Sequence, residues 1–209
     1  MDSTILQLET LDEIGHAIGK AREIAMITET AMNGDIDFET ALRNRVKLLA
    51  GLNINQLIEL VLEKLLITQG ASTLVTTMKA NGAVTALVSG GFTVITEIIR
   101  EKLNFDLCHG NTLVVDSSIV TGDLKPPIID GNTKAAILHQ ECKRLEISRD
   151  DTLAVGDGAN DIPMLTEASL GVGFMPKPVV KKHVSNKIEH CDLRGVLFLQ
   201  GFAENEFIT

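Results

Sequence analysis

The clearest candidate for chemistry is the run Asp151-Thr-Leu-Ala-Val-Gly-Asp-Gly-Ala-Asn-Asp161, an apolar stretch that ends in Gly156-Asp157-Gly158 with Asn160 and Asp161 one turn further on. Ligands of open α/β sheets bind beyond the carboxyl ends of the strands, which is where Asp157 would stand. A carboxylate there suits a hard cation, because magnesium takes only one or two protein carboxylates beside water and substrate phosphate. The competing reading is a surface turn in which Asp161 caps a helix. Two glycines, an asparagine and two aspartates behind one strand favour the ligand site. A second apolar run, Leu87-Val-Ser-Gly-Gly-Phe92, also ends in a glycine turn. Ser89 and the amides of Gly90 and Gly91 could receive a phosphoryl group at a helix N-terminus, although Ser89 would serve equally well as an N-cap. Lys134, at the start of a helical stretch, is either a phosphate counter-charge or a solvated lysine.

Arg45 shares a helical face with Phe38, Leu42, Val46 and Leu49. A guanidinium in that position must snorkel to water, pair internally or meet an anion such as a ligand carboxylate. Glu9 is open in the same way, since a glutamate near a helix start can simply complement the helix dipole. The five histidines share no ligand spacing, and Lys177, Lys181 and Lys182 read as a solvated face. Cys108, Cys142 and Cys191 stand far apart in no zinc or disulfide spacing, so three ordinary thiols are expected.

These residues need regular elements to hold them. From about 11 to 70 the apolar spacing is helical: a helix over 38–49 capped by Asp37, one marked by Leu57, Leu60, Val61 and Leu65, and one over 14–26 weakened at Gly15 and Gly19. After Gly70, short apolar runs alternate with helical stretches, beginning with 74–79, 84–88 and 94–103. A hairpin is expected from 113–115 and 119–120, then a helix over 133–145, a strand over 153–155, a helix over 162–167, a strand over 170–173 and an edge strand near 187–189. Such alternation predicts an α/β fold, a mostly parallel sheet flanked by helices, with a helical insert on its N-terminal side.

The chain of 209 residues, 44% hydrophobic, is long enough for one or two domains with a real core. Its net charge of −9 repels phosphate backbones and anionic bilayers, so neither a nucleic acid nor a membrane is expected as partner. No apolar run approaches the roughly 18 residues of a membrane span, and Asp2 stands where a signal peptide would carry basic charge. A cytoplasmic protein is the expectation.

Taken together, Asp2-Ser3-Thr4, Ser89-Gly90-Gly91, Lys134 and Gly156-Asp-Gly-Ala-Asn-Asp161 resemble, in order and spacing, the four motifs of the haloacid dehalogenase-like phosphatases. More narrowly, Glu9, Thr28-Glu-Thr-Ala-Met-Asn-Gly-Asp-Ile-Asp-Phe38, Arg43-Asn-Arg45 and Gly51-Leu52 resemble the phosphoserine phosphatase family over essentially the whole chain. The resemblance implies a Rossmann-like core from 1–10 and 71–209 and a helical-bundle cap from 11–70. It implies hydrolysis of a small molecule, O-phosphoserine, to serine and phosphate, the last step of serine biosynthesis, through an aspartyl-phosphate. Asp2 would be the general acid and then the base. Asp157 would ligate Mg2+ with the main-chain carbonyl of Asp2, while Asn160 and Asp161 order the site. Ser89, Gly90 and Lys134 would hold the phosphoryl oxygens. Glu9 would take the substrate ammonium and Arg45 its carboxylate, with Met32 and Phe38 closing the pocket under a mobile cap.

The first family motif is Asp-x-Asp-x-Thr, whose first aspartate is the nucleophile and a metal ligand, and Met1 stands at x. The expectation is therefore a chain without the nucleophile and the first core strand, a sheet with two unpaired interior edges, and no turnover by the chain as written. A start within a longer protein accounts for this. So does a pseudoenzyme that binds a phosphoamino acid, or a related phosphotransferase or phosphatase of another small phosphomonoester.

Overall fold

The structure, a computed structural model, describes all 209 residues. Four helices come first: α1 (Thr10–Ala17), α2 (Ala21–Met32), α3 (Phe38–Lys47) and α4 (Ile54–Lys64). The single helix expected over 14–26 is thus two. Gly19, at φ +71°, makes the left-handed turn between them. Gly15 lets α2 approach closely, since a Cβ there would stand 2.5 Å from Ile24 Cδ1. Asp37 caps α3, accepting the Thr40 N–H at 2.8 Å and its hydroxyl at 3.0 Å.

The rest alternates: α5 (Ala71–Ala80), β1 (Ala86–Phe92), α6 (Thr93–Leu103), β2 (Leu107–Asp116), β3 (Ile119–Lys125), α7 (Gly131–Leu145), β4 (Leu153–Gly156), α8 (Ile162–Glu167), β5 (Leu170–Phe174), β6 (Asn186–Ile188) and α9 (Gly195–Leu199). The β2–β3 hairpin is longer than its apolar core suggests. It turns on Ser117 and Ser118, at φ +49° and +69°, the two positive angles that a tight hairpin turn needs.

In place of one sheet there are two of three strands. In the first, β1 pairs parallel with β2 and β2 antiparallel with β3; in the second, β4, β5 and β6 are parallel. No strand pairs with the second edge of β1 or of β4, which are the two open edges expected. The segment 1–4 lies by the carboxyl ends of both strands. Met1 Cε is 3.2 Å from where a Cβ on Gly91 would be, and the Thr4 hydroxyl reaches Asp157 beyond β4 at 2.9 Å.

One apolar cluster of 28 residues joins Ile14, Leu42, Val46, Leu49, Leu57 and Val61 of the helical segment to Leu87, Phe92, Ile95 and Ile99 beneath β1 and α6. The two chain crossings between the segments run antiparallel, with Gln7 N–H on Leu66 O and Thr68 N–H on Ile5 O, both 2.9 Å. Residues 51–54 also lean on the hairpin through Gly51 N–H to Val120 O and Ile54 N–H to Ser118 O, again 2.9 Å each. Phe38 and Arg45 are therefore carried on a helix braced against the sheet that bears Ser89. No helix is long and apolar enough to cross a membrane.

Candidate active site

Gly156 ends β4, and its missing side chain lets Asp161 fold back: a Cβ there would stand 2.6 Å from the Asp161 carboxyl carbon. Asp161 Oδ2 accepts the N–H groups of Asp157 and Gly158, each at 3.1 Å, and Oδ1 accepts Lys134 Nζ at 2.7 Å. The Lys134 and Asp161 side chains are 4% and 9% exposed, so Lys134 is no solvated lysine. Asp161 caps its turn and is also a counter-ion. Burial pushes its carboxyl up, but the Lys134 ammonium outweighs burial and holds it below the usual range. Lys134 is presented by the first turn of α7, which Asp130 caps by accepting the Thr133 N–H at 2.8 Å.

Asp157 Oδ1 accepts the Thr4 hydroxyl, and Oδ2 faces Lys177 Nζ at 3.5 Å; burial raises this carboxyl. Asp2 is bound at both oxygens by Thr10, through its hydroxyl at 2.8 Å and its N–H at 3.0 Å. Burial raises the Asp2 carboxyl despite the Thr10 donors. The Asp2 carbonyl accepts no main-chain hydrogen bond. A buried carboxylate and a free carbonyl make an all-oxygen donor set that fits a hard divalent cation. No three or more His, Cys, Asp or Glu side chains converge here to hold a metal, so an ion would take its remaining ligands from water and bound phosphate.

The Ser89 region corrects one expectation. β1 runs on through the glycines to Phe92, and α6 begins only at Thr93, so Ser89 is not its N-cap and the glycine amides are not at its N-terminus. The register slips between Val88 and Phe92, and the Ser89 hydroxyl, on a residue 2% exposed, accepts the Gly91 N–H at 2.9 Å. The ring of Phe38 overhangs Gly90, its Cζ 3.4 Å from where a Cβ would be, and Asn160 Nδ2 lies 3.9 Å from the same point. Asn111, fully buried, pins this bulge by donating to Gly90 O at 2.8 Å while accepting the Ile129 N–H at 2.9 Å. Asn111 and Thr10, which hold Gly90 and Asp2 by hydrogen bonds, are positions that the sequence pattern does not reach. An asparagine within an apolar strand is the available signal for the first, and nothing local marks the second.

Arg45 is half-buried, with only a long contact from Nε to Ala41 O at 3.4 Å. Burial lowers its pKa, and the nearby Asp12 and Glu9 charges partly offset this. Glu9 Oε1 accepts the Ser3 hydroxyl at 2.7 Å and lies 3.6 Å from Lys177 Nζ. Lys177 is exposed like Lys181 and Lys182, as expected of a solvated face, but its ammonium also lies between Glu9 and Asp157. Met32 does not join Phe38 over the site. It ends α2, is 81% exposed, and lines a cleft of about 400 Å³ with Asp12, His16 and Thr28. Asp2, Phe38, Ser89, Gly90, Lys134, Asp157, Asn160 and Asp161 converge at the carboxyl ends of β1 and β4, with Glu9 joined to them through Lys177.

The sequence profile of haloacid dehalogenase-like hydrolases matches residues 1–166. The chain is 39% identical over 208 residues to the probable phosphoserine phosphatase of Schizosaccharomyces pombe, covering 99% of this chain and 70% of that one. It is 40% identical over 196 residues to the phosphoserine phosphatase of Methanocaldococcus jannaschii, covering 94% and 92%. Among solved structures it is similar to a substrate-bound phosphoserine phosphatase complex, with a TM-score of 0.88 at 39% identity over 95% of this chain and 94% of that one. A phospho-aspartyl intermediate analogue of phosphoserine phosphatase matches with a TM-score of 0.87 at 39% identity over 95% of both chains.

Proposed function

The chain belongs to the haloacid dehalogenase-like hydrolases, and from that premise we propose that its site serves the hydrolysis of O-phosphoserine to serine and phosphate, with Mg2+ as the cation. The observation that carries the amino-acid substrate is Arg45, a half-buried guanidinium left without a close carboxylate. Beside it Glu9 offers the opposite charge, so the two together complement a zwitterion whose phosphate points to Lys134 and Ser89. Phe38 shields that pocket from water. Asp2, whose carboxyl is raised by burial, holds the proton for the departing serine oxygen. Asp157 and the Asp2 carbonyl would hold the cation, which when bound supplies positive charge against the phosphoryl oxygens.

Each of the three carboxylates of the pocket already has a partner, Asp2 in Thr10, Asp161 in Lys134 and Asp157 in Thr4, so none stands free as a nucleophile. Residues 1–209 should therefore bind phosphoserine, and a form carrying an aspartate two positions ahead of Asp2 should hydrolyse it. Failure of that form to hydrolyse phosphoserine with Mg2+ would remove the substrate from the reading. Arg45→Ala is the sharper test. Hydrogen bonds to charged groups are worth about 1.5–3 kcal/mol, so calorimetric phosphoserine affinity should fall roughly 10- to 150-fold while that of O-phosphoethanolamine, which has no carboxylate, holds. Equal losses on both would take Arg45 out of the pocket.

A further inference from the structure

Lys177 has no place in the proposed chemistry, yet its ammonium stands at the edge of the pocket between two of its carboxylates. The chain leaves β5 through Met175, whose backbone is left-handed at φ +41° without being glycine, and Lys177 is flanked by Pro176 and Pro178. A non-glycine residue in that region is strained and persists only where its surroundings enforce it. Here they do so through two main-chain bonds, Met175 N–H to Ile188 O at 2.8 Å and Lys177 N–H to Asp157 O at 2.9 Å. The second ties the lysine backbone to the residue its side chain addresses. Its ammonium then stands 3.5 Å from Asp157 Oδ2 and 3.6 Å from Glu9 Oε1.

We propose that Lys177 is a tethered counter-ion that occupies both cationic subsites of the ligand-free pocket, the divalent-cation position at Asp157 and the ammonium position at Glu9, and must withdraw from both when the ligands bind. The inference rests on the reading of Asp157 as cation ligand and Glu9 as ammonium partner. One ammonium serves two carboxylates, so its displacement by a cation at Asp157 also vacates Glu9. Cation and amino-group binding are thereby linked, and linkage of this kind is reciprocal. Lys177 is a positioning residue that touches the reacting groups only through these carboxylates.

The test is Mn2+ binding to residues 1–209, read by electron paramagnetic resonance, in the unmutated chain, Lys177→Gln and Lys177→Arg. All three should show the same far-ultraviolet circular dichroism, because the side chain is 55% exposed. Lys177→Gln should bind Mn2+ about three- to tenfold more tightly, a range set between exposed and buried ion pairs. Lys177→Arg, which keeps the charge, should stay within about twofold of the unmutated chain. Unchanged or weaker binding by Lys177→Gln, or no binding by any of the three, overturns the proposal. Asp157→Asn in the Lys177→Gln background separates the two layers of the argument. If tight binding disappears, the ion sits at Asp157 and Lys177 competes with it. If it survives, the ion binds elsewhere and the assignment of Asp157 fails instead.

Discussion

Lys134→Met removes one partner from the most deeply buried ion pair of the site and keeps the length and apolar stem of the side chain. Asp161 would retain two N–H donors at 3.1 Å, but its carboxylate, 9% exposed, would lose the ammonium 2.7 Å away. Breaking a buried pair from one side costs about 3–5 kcal/mol, because an uncompensated charge is left in a poorly solvated place. Against a total stability of about 5–15 kcal/mol this is a large fraction. With a urea slope of about 2 kcal/mol per molar, the unfolding midpoint should fall by roughly 1.5–2.5 M. The double variant Lys134→Met/Asp161→Asn should recover at least half of that loss, since a neutral amide can still accept the two main-chain N–H bonds without a buried charge. Equilibrium urea unfolding followed by circular dichroism measures both. A loss below about 1 kcal/mol for the single variant would mean that the pair is solvated in solution. Failure of the second substitution to rescue would mean that Lys134 matters for packing rather than charge.

The carboxyls of the site should respond to pH with opposite signs. Asp161 is held low, so its stabilisation is present above the unfolded pKa of about 3.9 and disappears as pH falls through its folded value. Asp2 is held high, so it withdraws stability as pH rises from about 3.9 through its folded value. In chelator at about pH 7, Asp161→Asn should therefore lower Tm and Asp2→Asn raise it; shifts of the same sign would contradict the assignment. Glycine positions offer a separate check on the packing. At Gly171 a Cβ would stand 2.0 Å from the main-chain oxygen of Leu165, which cannot yield, so Gly171→Ala should cost about 3 kcal/mol or more in urea unfolding. At Gly15 the obstacle is the tip of Ile24, and about 0.5–1 kcal/mol of helix propensity is regained, so Gly15→Ala should be close to neutral. A larger loss at Gly15 than at Gly171 would refute that reasoning.

The residues legible in the sequence share one property, a polar or charged type where the local pattern calls for an apolar one. Asp157 after an apolar strand and Arg45 on an apolar helix face both announce an unusual environment by residue type alone. Glycine patterns are less legible. Gly19 is visible as a weak point, but only its positive φ converts a weak point into a break between α1 and α2. The Ser89 glycines look like a turn opening a helix, yet the strand continues through them, because pairing with β2 resumes at Phe92 opposite Asn111. Lys177 escapes notice for the opposite reason. Like Lys181 and Lys182 it is exposed, and nothing in their spacing distinguishes the one lysine whose own backbone is bonded to Asp157.

What no window of sequence contains is the meeting of the parts. The hydrogen bond from Thr4 to Asp157 spans 153 positions, and that from Lys134 to Asp161 spans 27. The first is possible because the segment 1–4 lies at the end of β4, the second because α7 starts beside the turn that follows β4, where Gly156 leaves room for the Asp161 carboxyl. Residue type therefore specifies what chemistry is available, while the strand ends specify which groups can share it. On this view a substitution that preserves every charged residue but fills the space at Gly156 should disable the site as thoroughly as loss of Lys134, since it displaces the carboxyl on which Lys134, Asp157 and Gly158 all converge.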